Sequence, residues 1–116
     1  MKEYTKKYVS IFMKAAILLV PELSNNETVC RKLAMEMIKK YNQNKNVVIA
    51  KPFLYTNDMG VKKATPIGNF IAQNGLDIGD REIIISQKGI RYSNSYHVPP
   101  CWEKGMAYNL PEKIEI

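Results

Sequence analysis

The chain is poor in the residues from which most active centres are built. Its 116 residues include one histidine (His97), one tryptophan (Trp102) and two cysteines (Cys30 and Cys101). Two thiols far apart in sequence and without a repeated spacing make no disulfide framework, which suggests a reduced, cytoplasmic setting. No C-x-x-C or H-x-x-x-H pair is present, so a zinc ion would have to draw on Cys30, His97 and Cys101, one ligand short of the usual four. Long apolar runs are missing as well. The stretch Ala15–Val20 is six residues, against the ~20 that span a bilayer. Lys14 splits the apolar run near the N-terminus and no small-residue cleavage site follows, so neither a targeting nor a membrane segment is expected. The phosphate-cradling patterns G-x-x-x-x-G-K-S/T and G-x-G-x-x-G do not occur. Neither does an Asp/Glu-x-Lys triplet of the kind one large nuclease class places on a strand. The composition therefore points away from cofactor and metal chemistry.

What the chain does have is lysine, unevenly placed. There are fourteen lysines and three arginines (Arg31, Arg81, Arg91), for a net charge of +6. Residues 1–63 hold twelve of these cations against five acids, while residues 64–116 hold five against six. A field concentrated this way draws polyanions or acidic protein surfaces to one half of the molecule. Lysine is a mobile point charge, whereas arginine is the bidentate reader of guanine edges and phosphates. Nucleic acid bound here would be tracked along its backbone with weak sequence preference.

Hydrophobic content of 46% with 24% charge is ordinary for a globular chain of this length, and a single domain over 1–116 is expected. Tyr4, Tyr8, Phe12, Ala15 and Leu19 recur at steps of three and four, with Lys6, Lys7, Ser10 and Lys14 opposite. That periodicity predicts an amphipathic helix ending near Pro21. Ser24 and Glu27 have capping-box spacing, and Cys30, Leu33, Ala34, Met37, Ile38 and Tyr41 mark one face of a second helix. Arg31, Lys32, Glu36, Lys39 and Lys40 fall mostly on its other side. The short link Pro21–Ser24 makes the pair an antiparallel hairpin over 1–45. The remainder, 46–116, reads as mixed and β-rich. Val47–Ala50 and Phe53–Tyr55 read as strand, with Pro52 favouring an edge or bend, and Asn57–Gly60 reads as a turn. Thr65-Pro66 opens a short third helix that Gly75 closes. Ile83–Ile85 and Ile90–Tyr92 flank Gln87-Lys88-Gly89 in a β-hairpin. Glu112–Ile116 alternates and predicts a closing strand. The fold class is α+β: a basic N-terminal helical hairpin on a small, mainly antiparallel sheet with one short extra helix.

Two constellations invite a chemical reading. His97 and Cys101 share a short segment with Trp102, but Pro99 and Pro100 hold the path extended. At ~3.1 Å per residue the pair stands roughly 12 Å apart, beyond the ~3 Å reach of a nucleophile and its base. Packing of the loop through Trp102 and burial of Cys30 are the expected outcomes. Asp77, Asp80 and Glu82 gather around Gly79, which is turn chemistry before it is a metal site. The same Gly75-Leu76-Asp77-Ile78-Gly79-Asp80 stretch, followed by an isoleucine strand, is similar to the G-L-x-x-G-D turn of PDZ domains. With Asp58-Met59-Gly60 and Thr65-Pro66 it also resembles the swapped-hairpin DNA-binding domains of the AbrB kind. The first family's G-L-G-F loop is missing. The second comparison needs register shifts around Pro66 and lacks an arginine in the following helix. Two unrelated families meeting in the same residues identify a turn before a strand, and the chain is assigned to neither.

The expected function is that of a small, basic, non-enzymatic binding protein without a cofactor, associating with nucleic acid through a lysine-rich helical face. The candidate contacts are Lys6, Lys7, Lys14, Arg31, Lys32, Lys39, Lys40 and Lys45. The alternative is a protein-binding module or inhibitor, of viral or mobile-element type, docking on an acidic protein surface. A third reading is a small metal-independent ribonuclease using lysines and tyrosines. A homodimer could form through the C-terminal strand or the apolar end of the first helix.

Overall fold

The two helices expected from the 3.6-residue periodicity form one layer of the structure, α1 over Glu3–Leu19 and α2 over Glu27–Gln43. The computed structural model describes residues 3–51, 55–58, 61–93, 101–102 and 109–116, with backbone alone at 3–4, 55–58, 61–64, 93 and 101–102. The buried residues of α2 are Cys30, Leu33, Ala34, Met37, Ile38 and Tyr41, the stripe read from the sequence. From α1, Val9, Phe12, Ala15, Ala16 and Leu19 meet them. Each large side chain removed from water here contributes about 1.5–3 kcal/mol. Phe12 and Tyr41 cross with ring centroids 6.4 Å apart.

The link between the helices differs from expectation. Pro21–Asn25 forms a 3-10 helix that takes in Ser24, so Ser24 cannot cap α2. Asn26 does so instead, its Oδ1 accepting from the Val29 N–H at 3.2 Å. At the C-terminal end of α1, Arg81 donates from Nε to the Leu19 carbonyl (2.6 Å) and from Nη2 to the Asp77 carbonyl (2.7 Å). A cation thereby meets the negative pole of the helix.

The second layer is a four-stranded antiparallel sheet, β1 (Asn46–Ala50), β4 (Glu82–Ser86), β5 (Gly89–Ser93) and β6 (Cys101–Trp102), in the order β1-β4-β5-β6. The expected hairpin is β4–β5, closed by the pair Ser86 and Gly89 with Gly89 at φ 129°. In register, Val47, Ile85 and Ile90 form one row, and Ile49, Ile83 and Tyr92 the next. These rows face the helices and complete the core. A separate hairpin joins β2 (Tyr55–Asp58) to β3 (Val61–Ala64). Asn57 and Asp58 therefore end a strand rather than form the turn, and Phe53, Met59 and Gly60 lie outside the described residues.

Helix α3 spans Pro66–Gln73, with the Thr65 hydroxyl accepting from the Gly68 N–H at 2.9 Å. Its end is a Schellman motif: the Gly75 N–H bonds the Ala72 carbonyl and the Leu76 N–H the Ile71 carbonyl. Gly75 sits at φ +64° with open space where a Cβ would project. Gly75→Ala should therefore cost about 1–2 kcal/mol from backbone conformation alone, read as a lower urea midpoint with an unchanged slope.

The expected closing strand at 112–116 does not form. No strand covers residues 109–116, and of the two isoleucines Ile114 is buried while Ile116 is exposed. Side chains take the place of a partner strand. Asn42 Nδ2 donates to the Ile114 carbonyl and Asn42 Oδ1 accepts from the Ile114 N–H, both at 2.8 Å.

Candidate functional site: a lysine face and the groove beside it

The helical wheel sorts the candidate lysines. Lys7 and Lys14 are seven residues apart on α1, as are Lys32 and Lys39 on α2, so each pair projects from one stripe about 10.5 Å along its helix. Both stripes lie opposite the buried residues, and all four side chains are exposed, as is Lys6. The helices pack side by side on the sheet, α1 over β4 and β5 and α2 over β1. With helix axes about 8–10 Å apart, the four lysines outline a patch roughly 10 Å square on the outer surface of the helical layer. One phosphate per ~3.4 Å along a strand gives about three phosphates per row.

Acids temper part of this face. Arg31 Nη2 lies 3.2 Å from Glu27 Oε1, and Lys39 Nζ 3.5 Å from Glu36 Oε1. Such half-exposed pairs contribute little to stability, yet they partly neutralise two of the eight candidate contacts. Lys7 lies over the half-buried ring of Tyr8, 5.6 Å from its centroid. Tyr8 belongs mainly to the core, which limits it as a stacking platform. Arginine contributes less than the composition allowed. Arg81 is engaged on two carbonyls, and Arg91 stands on the sheet face away from the helices with its Nε buried.

Lys40 is set apart from this face and joins Lys39 on the wall of a groove. The groove encloses about 230 Å³ between the C-terminal half of α2, strand β1 and the first turn of α3. Glu36, Lys39, Lys40 and Gln43 form one wall, Thr65–Ile67 close the end, and Val47, Val48 and Ile49 lie along the base. Val47 and Ile49 are buried toward the helices while Val48, on the opposite face, is 39% exposed. A cavity touching all three must follow the edge of the strand. Sequence reasoning identified the lysines but not this groove, which needs β1 at the sheet edge and α3 folded back against α2. Lys45 sits just before β1, close in sequence to the groove, and Lys6, Lys7, Lys14, Arg31 and Lys32 lie outside it.

Of the remaining candidates, Asp77 and Cys30 have structural roles. Asp77 makes an Asx turn, its Oδ1 accepting from the Gly79 N–H at 2.8 Å. Among the described residues no group of His, Cys, Asp and Glu could hold a metal ion. No helix among them is long and apolar enough to cross a membrane. His97 lies outside the described residues, and Cys101 is described as backbone in β6. Cys30 is buried, its Sγ donating to the Met13 carbonyl at 3.4 Å, and desolvation raises its pKa above the ordinary 9.0 despite the opposing charge of Arg31. The neutral thiol thus adds stability that is complete below about pH 9 and falls as the pH rises past it. In a Cys101→Ser background, Ellman's reagent should label Cys30 at pH 8 only as fast as the chain unfolds.

No family model matches the chain, and no curated protein or solved structure matches it.

Proposed function

We propose that this is a small, basic, non-enzymatic binding protein that associates with nucleic acid through the phosphate backbone. The observation that carries the reading is the common outward direction of Lys7, Lys14, Lys32 and Lys39 on a two-helix layer, with Lys6 beside them. A flat, mobile array of ammonium groups with one partly engaged arginine suits phosphates better than base edges. Binding of a labelled oligonucleotide should therefore weaken steeply with added salt and vary little with sequence. A flat response between 50 and 200 mM salt rules the reading out. The groove favours a second reading, docking on an acidic partner protein, because its base is apolar and a nucleic-acid backbone would leave that base uncovered.

A further inference from the structure

The groove along β1 offers something the lysine face does not, a row of backbone hydrogen-bonding groups. Among the described residues β1 pairs with β4 and with no other strand. The two-residue turn Gln87–Lys88 makes Ser86 and Gly89 a closing hydrogen-bonded pair, so the backbone groups of Ser86, Ile84 and Glu82 point toward β5. Those of Ile85 and Ile83 then point toward β1, where they meet Val47 and Ile49. By the same alternation Asn46, Val48 and Ala50 direct their N–H and C=O groups away from the sheet. Asn46 bears this out: its N–H bonds Asn44 Oδ1 at 3.3 Å. The edge therefore presents the N–H and C=O of Val48 at its centre, beside an apolar groove.

We propose that this edge binds an extended, acidic peptide segment of a partner protein, which adds to β1 as a further strand beneath α2 and α3. The inference rests on the second reading above. Charge selects the occupant. Lys45 and Lys51 bracket β1 in sequence, Lys39 and Lys40 line the wall, and the acid among the lining residues, Glu36, is paired to Lys39. A second copy of the chain laid edge to edge would bring lysines against lysines, which disfavours self-pairing. Size selects the mode. At about 230 Å³ the groove has room for one or two side chains rather than the face of a domain. The fitting segment inserts one aliphatic side chain over Val47, Ile49 and Ile67 and carries carboxylates within a residue or two of it. Affinity then comes from main-chain hydrogen bonds and specificity from the pocket and the lysines. The N-terminus of α3 at the groove's end adds a partial positive charge.

The test uses a fluorescein-labelled hexapeptide of alternating glutamate and valine, followed by anisotropy at low salt. Its counterpart carries N-methyl groups on alternate amides, which removes strand pairing and keeps the charge. On the protein, Val48→Pro deletes the outward N–H at an edge position where proline is tolerated, and K39E/K40E reverses the wall. The parent peptide is expected to bind. N-methylation on the pairing edge and Val48→Pro should each weaken it about tenfold, and the double reversal by at least as much. The peptide comparison on the unaltered protein stands even if Val48→Pro fails to fold. Equal binding of both peptides overturns strand addition while leaving the protein-docking reading intact, and no binding at millimolar peptide removes both. Displacement of the peptide by an oligonucleotide whose own binding needs Val48 assigns the groove to nucleic acid and overturns the proposal. So does a dimer in sedimentation that Val48→Pro dissolves.

Discussion

Replacing Ile114 with alanine should destabilise the protein by about 2–5 kcal/mol, as much as truncating a residue at the centre of α2, although Ile114 belongs to no helix or strand. Its side chain is fully buried, and its backbone is held on both polar atoms by Asn42. The strap is fixed elsewhere by the Tyr41 hydroxyl, which donates to the Pro111 carbonyl, and by Thr5, whose hydroxyl donates to the Glu115 carbonyl at 2.9 Å. The Leu110 N–H reaches the Gln87 carbonyl in the β4–β5 turn at 2.7 Å. The tail therefore joins both helices to the sheet, and loss of its fully buried anchor leaves a cavity that such a tether resists collapsing. Against a total stability of ~5–15 kcal/mol, the change is large. Ile116, 52% exposed, is the control. Ile116→Ala should fall within about 0.5 kcal/mol of the parent. Urea denaturation of the two variants checks this, and equal midpoints would show that the tail is a passenger rather than a strap.

The same segment shows where sequence reading succeeded and where it stopped. Alternation in Glu112–Ile116 was half right, since Ile114 is buried and Ile116 is exposed, and alternation is a property of extended chain, not of strand pairing. The hydrogen bonds are supplied by Asn42 and Thr5, which lie far away in sequence and whose types carry no such signal. By contrast, the stripe of α2 was fully legible because its face is set by local periodicity, that of α1 was legible at Phe12, Ala15 and Leu19 but not at Val9 and Ala16, and Thr65-Pro66 with Gly75 bounded α3 through local capping chemistry. Strand β3 was missed. Val61-Lys62-Lys63-Ala64 has no alternating pattern of its own and pairs because β2 is antiparallel beside it. The cap of α2 was misplaced because Ser24 has the right spacing, while the proline-led 3-10 helix moves the helix start to Asn26.

The candidate site divides along the same line. Its charges were legible, since lysines opposite an apolar stripe must face water. The groove was not, because it arises only where α3 folds back beside the consecutive α2 and β1, and Val48 in a sequence of valines and isoleucines looks like any core residue. Arg81 was counted as charge and turned out to be a helix cap, a role visible only once the Asp77–Arg81 turn lies against the end of α1.

Reversing Lys7, Lys14 and Lys32 together to glutamate should abolish oligonucleotide binding, and the parent's salt response fixes the scale. Four phosphate contacts give a slope of about −3.6 for log affinity against log salt on duplex DNA, at ~0.9 per contact. Between 50 and 200 mM salt the affinity then drops roughly a hundredfold or slightly more. A single strand, at ~0.7 per contact, loses roughly fiftyfold. Each lysine-to-alanine change should lower the slope by about one contact and weaken all sequences alike. Glu36→Gln provides a gain of function. It removes the acid 3.5 Å from Lys39, so nucleic-acid binding should tighten at every salt concentration with its slope kept near four contacts, Lys39 being one of them already, while stability falls by no more than about 0.5 kcal/mol. Val48→Pro should leave these values unchanged, because Val48 lies on the strand edge and all four phosphate contacts lie on the helices, although Lys39 also borders the groove. Salt titrations of the four proteins against one duplex and one single strand decide the matter. If Glu36→Gln changes nothing while the triple reversal still abolishes binding, Lys39 is not a phosphate contact, and the binding face narrows to α1 and the first half of α2.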